Sequence, residues 1–342
     1  MGRKYYDLWV DISNTPQVLF LKPLISELRE YSTFITCWDR GETVELLKSL
    51  GFDFVCIGKD SPDPTKKAIS VGLRALRLAP MGLDYKALLT LNSMPLLNAF
   101  IRRKKSILFA DNDVKLINTK TFFSKWENRA SKLATYVLVP EAAYDNFLKF
   151  YPGDKLIAYP GYKEHISISD YVPDPNFMNY LPFEEYVVVR PESLSSHYVM
   201  EKKSIVPELL RLFERENINV VYLPRNDFER KLADKFGVFI PPKALNGLDL
   251  SYYSNAVLTG SGTMAREAAL LGIPAISFFP GERLLAVDID LIEKGKMFHS
   301  REPEEILEYV IKNWGKKQDG EFEKAKKVKE QVIQQIKAII GE

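Results

Sequence analysis

A glycine-rich turn between two apolar strands is the segment of this sequence best suited to bind an anion. The chain reads Ala256-Val-Leu-Thr-Gly-Ser-Gly-Thr-Met-Ala-Arg-Glu-Ala-Ala-Leu-Leu-Gly-Ile-Pro-Ala-Ile-Ser277, which predicts a strand, a turn, a short helix and a second strand. Ser261 or Thr263 is suited to cap the helix, and Gly272 with Pro274 is suited to end it. Because the free N–H groups and the positive dipole end of that helix lie at the carboxyl end of the strand, the turn can bind a phosphate.

Two ligands fit this turn, and the residues alone leave the choice open. Glu267 lies about one turn into the predicted helix, where its carboxylate can accept hydrogen bonds from a sugar hydroxyl, as in a nucleotide diphosphate site. The spacing Gly260-x-Gly262-x-x-Ala265 also matches the dinucleotide fingerprint, with Glu282 near the usual distance of the acidic residue. That fingerprint normally opens its domain, whereas this turn follows several strands of the second half and its helix is short. A tight turn with Glu267 on the surface is the plainest alternative.

The elements that would position the turn form two halves of alternating strands and helices. A chain of 342 residues exceeds the usual size of one hydrophobic core, so two domains are expected. The alternation is typical of parallel α/β sheets. We expect an N-terminal domain over residues 1–165, a C-terminal domain over residues 166–319, and a final helix within 320–342 that crosses back to the first domain. The predicted strands are Leu8–Ile12, Phe34–Cys37, Phe54–Ile57, Ala87–Leu91, Ile107–Phe109, Tyr136–Val139, Leu156–Tyr159, Tyr186–Val189, Val220–Leu223, Val238–Ile240, Ala256–Leu258, Ala275–Phe278 and Met297–His299.

Composition is that of an ordinary globular protein, with 46% apolar and 27% charged residues. No apolar run approaches the roughly 20 residues of a membrane span, and the first residues lead directly into a strand rather than a signal peptide. Cys37 and Cys56 are expected to be buried free thiols, which fits a cytoplasmic location. His165, His197 and His299 are scattered without partners at metal-ligand spacing, so no metal site is expected, and His299 is assigned a structural role.

Short motifs from one end of the chain to the other resemble a single protein family. They are Trp9-Val-Asp-Ile-Ser-Asn-Thr-Pro-Gln-Val18 with Lys22-Pro-Leu24, Gly51-Phe-Asp-Phe-Val-Cys-Ile-Gly-Lys59, Phe109-Ala-Asp111, Tyr159-Pro-Gly-Tyr-Lys-Glu-His165, Val189-Arg-Pro-Glu192 and the turn at Ser261. On this set the chain resembles the domain of unknown function 354 family, prokaryotic proteins of GT-B-like architecture. The resemblance implies two Rossmann-like parallel-sheet domains that face a cleft, with no activity attached. The family usually has histidine where Gln17 stands here, and a glutamine hydrogen-bonds but does not act as a base.

The turn at Ser261 resembles the nucleotide-sugar site of GT-B glycosyltransferases and UDP-N-acetylglucosamine 2-epimerases. In those proteins a turn of serine, glycine and threonine holds phosphate, and a glutamate of the following helix holds the ribose. The resemblance therefore implies that Ser261, Gly262 and Thr263 hold the phosphates of a UDP-type donor and that Glu267 binds its ribose.

Two further arginines follow predicted strands of the second half. The turn from Arg190 to Glu192 resembles the Arg-x-Glu-Ser turn of the epimerases, and on that resemblance Arg190 and Glu192 are assigned to binding the nucleotide sugar. Arg190 could clamp a pyrophosphate with its forked guanidinium. The catalytic histidine that precedes this arginine in the epimerases is replaced here by Val189, although His197 is near in sequence. Arg225 ends the next strand and could contact the base or the phosphate. A surface ion pair of Arg190 with Glu192, and a simple cation at a helix start for Arg225, remain open.

The first half contributes candidate residues for an acceptor. Asn14 and Gln17 follow the first strand and face the second domain if the GT-B arrangement applies. Asp111 follows the predicted strand Ile107–Phe109, and we assign it as the base that activates an acceptor hydroxyl. An N-cap role for Asp111 in the next helix remains equally open.

Positive charge is concentrated in one segment of the first half. Residues 66–105 carry nine basic side chains against Asp84, a net charge of +8, whereas the whole chain has a net charge of +2. Basic and apolar residues interleaved in this way favour contact with an anionic membrane surface or a lipid-linked acceptor, which would place the protein at the inner face of the membrane. A solvated basic face is the alternative, and nucleic acid is not expected because reader motifs are absent. The basic residues are Lys66, Lys67, Arg74, Arg77, Lys86, Arg102, Arg103, Lys104 and Lys105.

The sequence therefore favours a glycosyltransferase-like enzyme that takes a nucleotide sugar at its C-terminal domain and requires no cofactor. A UDP-sugar 2-epimerase, an NAD(P)-dependent dehydrogenase that uses the turn from Gly260 to Ala265, and a non-catalytic nucleotide-sugar binding protein remain as alternatives.

Overall fold

Apolar, β-branched runs alternate with helices along the whole chain, and most of these runs form strands of parallel sheets. The computed structural model describes residues 4–61, 63–117, 122–192 and 203–341. The chain divides into two units. Unit 1 comprises residues 1–167 together with 327–342, and unit 2 comprises residues 168–326.

Unit 1 contains, among its described residues, a parallel sheet of seven strands. The strands are β1 (Tyr5–Ile12), β2 (Thr33–Asp39), β3 (Val55–Lys59), β4 (Asp84–Thr90), β5 (Lys105–Phe109), β6 (Tyr136–Pro140) and β7 (Leu156–Tyr159). They are ordered β3-β2-β1-β4-β5-β6-β7. The helices are α1 (Thr15–Glu27), α2 (Thr43–Ser49), α3 (Pro64–Leu78), α4 (Leu96–Ile101), α5 (Val114–Ile117), α6 (Phe122–Ser131), α7 (Tyr144–Leu148) and α8 (Lys163–Ile168).

Unit 2 contains, in the part of it that is described, a second parallel sheet of five strands. The strands are β8 (Val187–Arg190), β9 (Val220–Tyr222), β10 (Ala256–Thr259), β11 (Ala275–Ser277) and β12 (Met297–His299), in the order β12-β11-β10-β8-β9. The helices are α9 (Val206–Arg215), α10 (Asp227–Ala233), α11 (Gly247–Tyr252), α12 (Gly262–Leu270), α13 (Ala286–Glu293) and α14 (Pro303–Asn313). The last helix, α15 (Phe322–Gly341), begins in unit 2 and lies mostly in unit 1. The two parallel α/β sheets confirm the predicted fold class.

In each sheet, successive strands are added first on one side of the starting strand and then on the other. In unit 1, β2 and β3 lie on one side of β1, and β4 lies on the other side. In unit 2 the same reversal separates β8 from β10. Ligands of open α/β sheets bind outside the carboxyl ends of the strands at such switch points. The topology therefore marks the loops after β1 and β4, and those after β8 and β10, as candidate binding loops.

The prediction of a strand at Val238–Ile240 is wrong about its length. Only Phe239 pairs with the sheet, as an isolated bridge to Val221. Its N–H donates to the Val220 carbonyl, and its carbonyl accepts from the Tyr222 N–H. Two prolines follow Ile240 in the sequence, and because proline has no N–H the ladder cannot be extended through them.

Helix α15 begins in unit 2 and completes the core of unit 1. Its apolar positions Val328, Val332 and Ile336 are buried in the cluster that contains Val10 of β1 and Leu89 of β4. Polar contacts hold the helix in place. The Lys329 ammonium pairs with Glu27 at 3.0 Å, and the Gln335 amide donates to the Ala158 carbonyl at 3.0 Å.

Both cysteines are free thiols, but only Cys37 is buried as predicted. Cys56 is its register partner in β3, and it is exposed because β3 is the edge strand of the sheet. Burial raises the pKa of the Cys37 thiol well above its ordinary value, so this sulfur stays protonated.

The described ranges contain neither a candidate membrane span nor a candidate metal cluster. No described helix combines the length and the apolar character needed to cross a membrane. Across the same ranges, no three His, Cys, Asp or Glu side chains come together as potential metal ligands.

Candidate functional site

The turn between β10 and α12 lies at the switch point of the unit 2 sheet. Thr259, the last residue of β10, is in register with Arg190, the last residue of β8. The Gly260 N–H donates to the Arg190 carbonyl at 3.2 Å, so the two strand ends are joined where their loops begin. The glycine turn and the loop after Arg190 therefore share one edge of the sheet.

The two glycines of the turn are required by the protein's own atoms. A Cβ on Gly260 would lie 2.5 Å from the Cα of Glu192, and a Cβ on Gly262 would lie 2.5 Å from Nη1 of Arg266. Glycine is thus needed at both positions for internal packing. The match to the dinucleotide fingerprint, in which glycine admits a pyrophosphate, has this independent structural cause.

Helix α12 begins at Gly262 with Ser261 at the N-cap position, as the sequence predicts. The Ser261 hydroxyl makes no capping hydrogen bond with any described residue, although its backbone N–H donates to the Thr259 hydroxyl at 2.9 Å. Ser261, Gly262 and Thr263 are half-buried. The first turn of the nine-residue helix thus presents backbone N–H groups that the predicted serine cap does not satisfy.

A buried ion pair lies beneath this turn. Arg266 and Asp288 are 2% and 3% exposed, and Nη1 of the arginine lies 2.7 Å from Oδ1 of the aspartate. The same Nη1 is the atom that a Cβ on Gly262 would meet. The guanidinium is therefore held behind the N-terminus of α12, with its charge neutralised by Asp288.

Glu192, predicted to bind the nucleotide sugar, is buried and is bonded to its own chain. Its carboxylate accepts from the Ser204 hydroxyl at 2.6 Å and from the Ile205 N–H at 3.1 Å, and it lies 3.4 Å from Nη1 of Arg301. A surface position for Glu192, which the ion-pair alternative requires, is wrong because the residue is packed under Gly260. These contacts hold the loop after Arg190 against the turn.

Arg225 reaches back across the end of the sheet to the same loop. Its Nε and Nη2 donate to the Pro191 carbonyl at 3.2 and 2.9 Å. Helix α10 is capped by the next residue, Asn226, and the ring of Phe228 in its first turn is exposed. Arg225 is therefore held beside Arg190, and Phe228 is an exposed aromatic side chain near this edge that the sequence reasoning did not single out.

The remaining strand end of this edge carries a histidine. His299 ends β12 in register with Ser277 of β11. Its Nδ1 is buried and has no hydrogen-bond partner among the described residues, and burial lowers the pKa of the imidazole. The ring is therefore neutral at neutral pH. His197 lies outside the described residues.

At the switch point of unit 1, Asn14 and Gln17 order the first loop. The Asn14 side chain accepts from the Gln17 N–H and caps α1. The Gln17 amide accepts from the Ser13 N–H at 2.7 Å and exchanges hydrogen bonds with Asn92 at 3.1 and 3.2 Å. Gln17 thus joins the loops after β1 and β4 by hydrogen bonds, and Asn92 is a candidate site residue that the sequence did not indicate.

Behind this loop lies a second buried ion pair. Arg74 of α3 donates to both oxygens of Asp11 at 2.7 and 3.3 Å and to the Ile57 carbonyl at 3.0 Å, and both charged side chains are fully buried. Asp11 also accepts from the Thr36 hydroxyl at 2.6 Å. The inclusion of Arg74 in a basic surface is therefore wrong, because its charge is neutralised inside unit 1.

Other basic residues of the segment are either bonded within unit 1 or exposed. Lys104 pairs with Asp84 at 3.0 Å, and Lys105 donates to the Ile339 carbonyl at 2.9 Å. Lys66, Arg77 and Arg103 are exposed. The surface charge of the segment is therefore smaller than its sequence predicts.

Asp111 lies beyond the end of β5 and pairs with a lysine. Nζ of Lys163, the first residue of α8, lies 2.6 Å from Oδ2 of Asp111, and both side chains are largely buried. The capping contact that the sequence offered as an alternative belongs to Asn112, whose side chain accepts from the Lys115 N–H at 3.0 Å. Asp111 is thus an ion-paired carboxylate, and its partner comes from the motif that follows β7.

The described part of unit 2 brings together the candidate residues for a nucleotide sugar. Ser261, Gly262, Thr263 and Glu267 lie on one turn and its helix, and Arg190 and Arg225 lie on the neighbouring strand ends. In unit 1, Asn14 and Gln17 share the first loop, whereas Asp111 follows a strand two places away in the sheet. Arg266, Asp288 and Asn92 had no local signal in the sequence, since each is identified by a partner distant in sequence. Lys163 lies in a motif of the family resemblance, but its pairing with Asp111 appears only in the structure.

Solved structures with the same architecture extend over the whole chain. The UDP-N-acetylglucosamine 2-epimerase of Rickettsia bellii matches with a TM-score of 0.71 at 12% identity, over 98% of this chain and 97% of that one. The UDP-GlcNAc 2-epimerase of Methanocaldococcus jannaschii, solved in complex with UDP-GlcNAc and UDP, matches with a TM-score of 0.71 at 15% identity, over 97% and 99%. The glycotransferase of kitacinnamycin matches with a TM-score of 0.61 at 11% identity, over 98% and 100%. These similarities confirm a GT-B-like fold.

Sequence comparison gives the family. An uncharacterized protein of Methanocaldococcus jannaschii is 28% identical over 326 residues, which are 91% of this chain and 92% of the relative. The family model described as protein of unknown function, DUF354, matches residues 6–337. The turn at Ser261, the loop after Arg190 and the Lys163 motif thus all lie within a match to one family, and the chain belongs to the DUF354 family.

Proposed function

We propose that this protein is a nucleotide-sugar-dependent glycosyltransferase-like enzyme that binds a UDP-type donor at the switch point of unit 2. The observation that carries the proposal is the start of α12 at that switch point, beside Arg190 and in front of the buried Arg266. Structural relatives solved with UDP-GlcNAc and UDP share the fold, which supports this ligand class.

The proposed chemistry uses the charges of this edge. The N–H groups of Ser261, Gly262 and Thr263 bind the diphosphate, Arg190 stabilises the negative charge that develops as the diphosphate leaves, and Glu267 accepts hydrogen bonds from the ribose. Arg225 lies where it contacts the base or the phosphate. The proposed reaction requires no metal and no cofactor, because these donors supply the positive potential.

The proposed acceptor chemistry belongs to unit 1. Asp111 acts as the base that takes up the proton of an acceptor hydroxyl, and Lys163 positions its carboxylate by pairing with it. Asn14 and Gln17 orient the bound acceptor through the loop that they order. We assign an anionic partner, either a lipid-linked acceptor or a membrane surface, to residues 66–105, which would place the protein at the cytoplasmic face of a membrane.

A UDP-sugar 2-epimerase is the second candidate, because the fold of the epimerases matches nearly the whole chain. Val189 stands where the epimerases are expected to carry a catalytic histidine, which favours transfer over epimerisation. A dehydrogenase is less well supported, because internal packing accounts for Gly260 and Gly262. A thermal-shift panel of UDP-, GDP-, TDP- and CMP-sugars, with NAD and NADP in parallel, separates the nucleotide-sugar functions from the dehydrogenase.

Replacing Glu267 with alanine should weaken binding of the nucleotide sugar about ten-fold or more, because a hydrogen bond to a charged group contributes about 1.5–3 kcal/mol. Glu267 is half-buried on α12, and circular dichroism checks that the variant is folded. Isothermal titration with UDP-GlcNAc and UDP measures the effect. Glu308→Ala, which changes an exposed glutamate of α14, is the matched control. An unchanged affinity in Glu267→Ala would refute the ribose assignment, and tight NAD binding without a UDP-sugar response would favour the dehydrogenase.

A further inference from the structure

The outer face of α3 is aliphatic. Ile69, Leu73 and Leu76 are 57%, 49% and 70% exposed. Their spacing of four and then three residues places them on one side of the helix, one turn after another. They form a continuous exposed stripe rather than scattered apolar residues.

The inner face of the same helix carries a charge. Val71, Arg74 and Leu78 are buried, and Arg74 forms the ion pair with Asp11. A helix that covers a sheet and faces water normally places its charged residues outside and its aliphatic residues inside. Helix α3 has aliphatic residues on both sides and its central arginine within the core. Packing inside unit 1 therefore does not account for the outer stripe.

Helix α4 adds to this surface. The Asn98 amide donates to the carbonyls of Leu78, Ala79 and Met81, which ties α4 to the end of α3. Phe100 and Ile101 of α4 are exposed. Cationic side chains border the apolar ones, since Lys66, Arg77 and Arg103 are exposed as well. We call this surface the α3–α4 face, and it consists of Lys66, Ile69, Leu73, Leu76, Arg77, Phe100, Ile101 and Arg103.

We propose that the α3–α4 face docks on the surface of an anionic lipid bilayer. The aliphatic stripe and the two residues of α4 insert at the boundary between headgroups and acyl chains, and the bordering cations lie at the level of the headgroup phosphates. Charge complementarity identifies the partner, because exposed apolar residues beside the exposed cations Lys66, Arg77 and Arg103 are suited to anionic lipid. The docking proposal rests on the proposed function and names the partner of residues 66–105. It assigns the contact to the residues that face outward, and not to the buried Arg74 or to Lys104 and Lys105, which are bonded within unit 1.

Co-sedimentation of the full chain with vesicles tests the proposal. The wild type should bind vesicles of phosphatidylcholine with phosphatidylglycerol, bind phosphatidylcholine alone more weakly, and lose the difference at high salt. The triple variant Ile69→Ser, Leu73→Ser, Leu76→Ser should bind these vesicles at least about ten-fold more weakly than the wild type. The double variant Lys66→Glu, Arg77→Glu should lose the preference for phosphatidylglycerol. Val172→Ser with Ile311→Ser, which changes exposed aliphatic residues of unit 2, is the matched control and should bind like the wild type.

Three results overturn the docking proposal. The first is that the wild type does not bind the vesicles at low salt, and the second is that the triple variant binds them as well as the wild type does. The third is that the wild type is a dimer and the triple variant a monomer, while neither protein binds vesicles. The last result would make the face a contact between copies of this chain. Circular dichroism confirms that the variants are folded. Titration with UDP-GlcNAc in the absence of vesicles is recorded for the same variants, so failure of the donor site is distinguished from failure of docking.

Discussion

Replacing Arg74 with methionine should lower the free energy of unfolding by about 3–5 kcal/mol. The substitution leaves the Asp11 carboxylate fully buried after removal of the guanidinium that donates to both its oxygens. The Thr36 hydroxyl and the Asn92 amide still donate to Asp11, but they carry no charge that neutralises the carboxylate. A buried ion that loses its partner costs far more free energy than an exposed one.

Urea denaturation followed by circular dichroism measures this loss. Arg77→Met is the matched control, because Arg77 lies three residues further along α3 and is exposed, so its loss should change stability little. The double variant Asp11→Leu, Arg74→Met removes both charges and should recover part of the stability. Equal effects of Arg74→Met and Arg77→Met would contradict the buried ion pair.

Replacing Gly272 with alanine should lower the free energy of unfolding by about 2–5 kcal/mol, from left-handed strain of about 1–2 kcal/mol and overpacking of about 1–3 kcal/mol. Gly272 follows α12 with φ of +80°, and a Cβ there would lie 2.1 Å from the carbonyl oxygen of Gln318. The Gln318 N–H also donates to the Gly272 carbonyl at 2.8 Å. Relief of the clash must therefore move backbone on one side or the other.

Gly295→Ala separates the two contributions, because Gly295 has φ of +67° and no described residue has an atom within 4 Å of its added Cβ. Both variants carry the left-handed strain, and only Gly272→Ala carries the clash. Denaturant midpoints compared at equal slope give the difference between them. If the two variants are equally destabilised, the close approach of Gly272 to Gln318 is not a constraint on the fold.

Local signals in the sequence were sufficient for the elements around the proposed donor site. Apolar runs give β10 and β11, and the glycines and Pro274 bound the helix between them, because these residues act through their own backbone angles. The prediction of a strand at Val238–Ile240 was wrong for an equally local reason, since the prolines that follow prevent further pairing. The boundaries of strands and turns thus follow from neighbouring residues.

Pairs that are distant in sequence were beyond the reach of such signals. Arg74 is 63 residues from Asp11, and it appeared in the sequence as one more cation of a basic segment. Arg266 and Asp288 are 22 residues apart and lie on different helices. Whether an arginine on a helix points inward or outward depends on which carboxylate the tertiary fold brings to it. The sequence therefore predicted the positions of the loops better than the charges around them.

The place of α15 in the core of unit 1 has a consequence for synthesis. A ribosome that adds about 5–20 residues per second needs roughly 10–30 s to translate unit 2 after unit 1 has been made. During that time the sheet of unit 1 lacks Val328, Val332 and Ile336, and the apolar surface that they cover is open. Unit 2 is contiguous in sequence and can fold first, although it is translated second. Completion of the unit 1 core is thereby delayed until unit 2 has been translated.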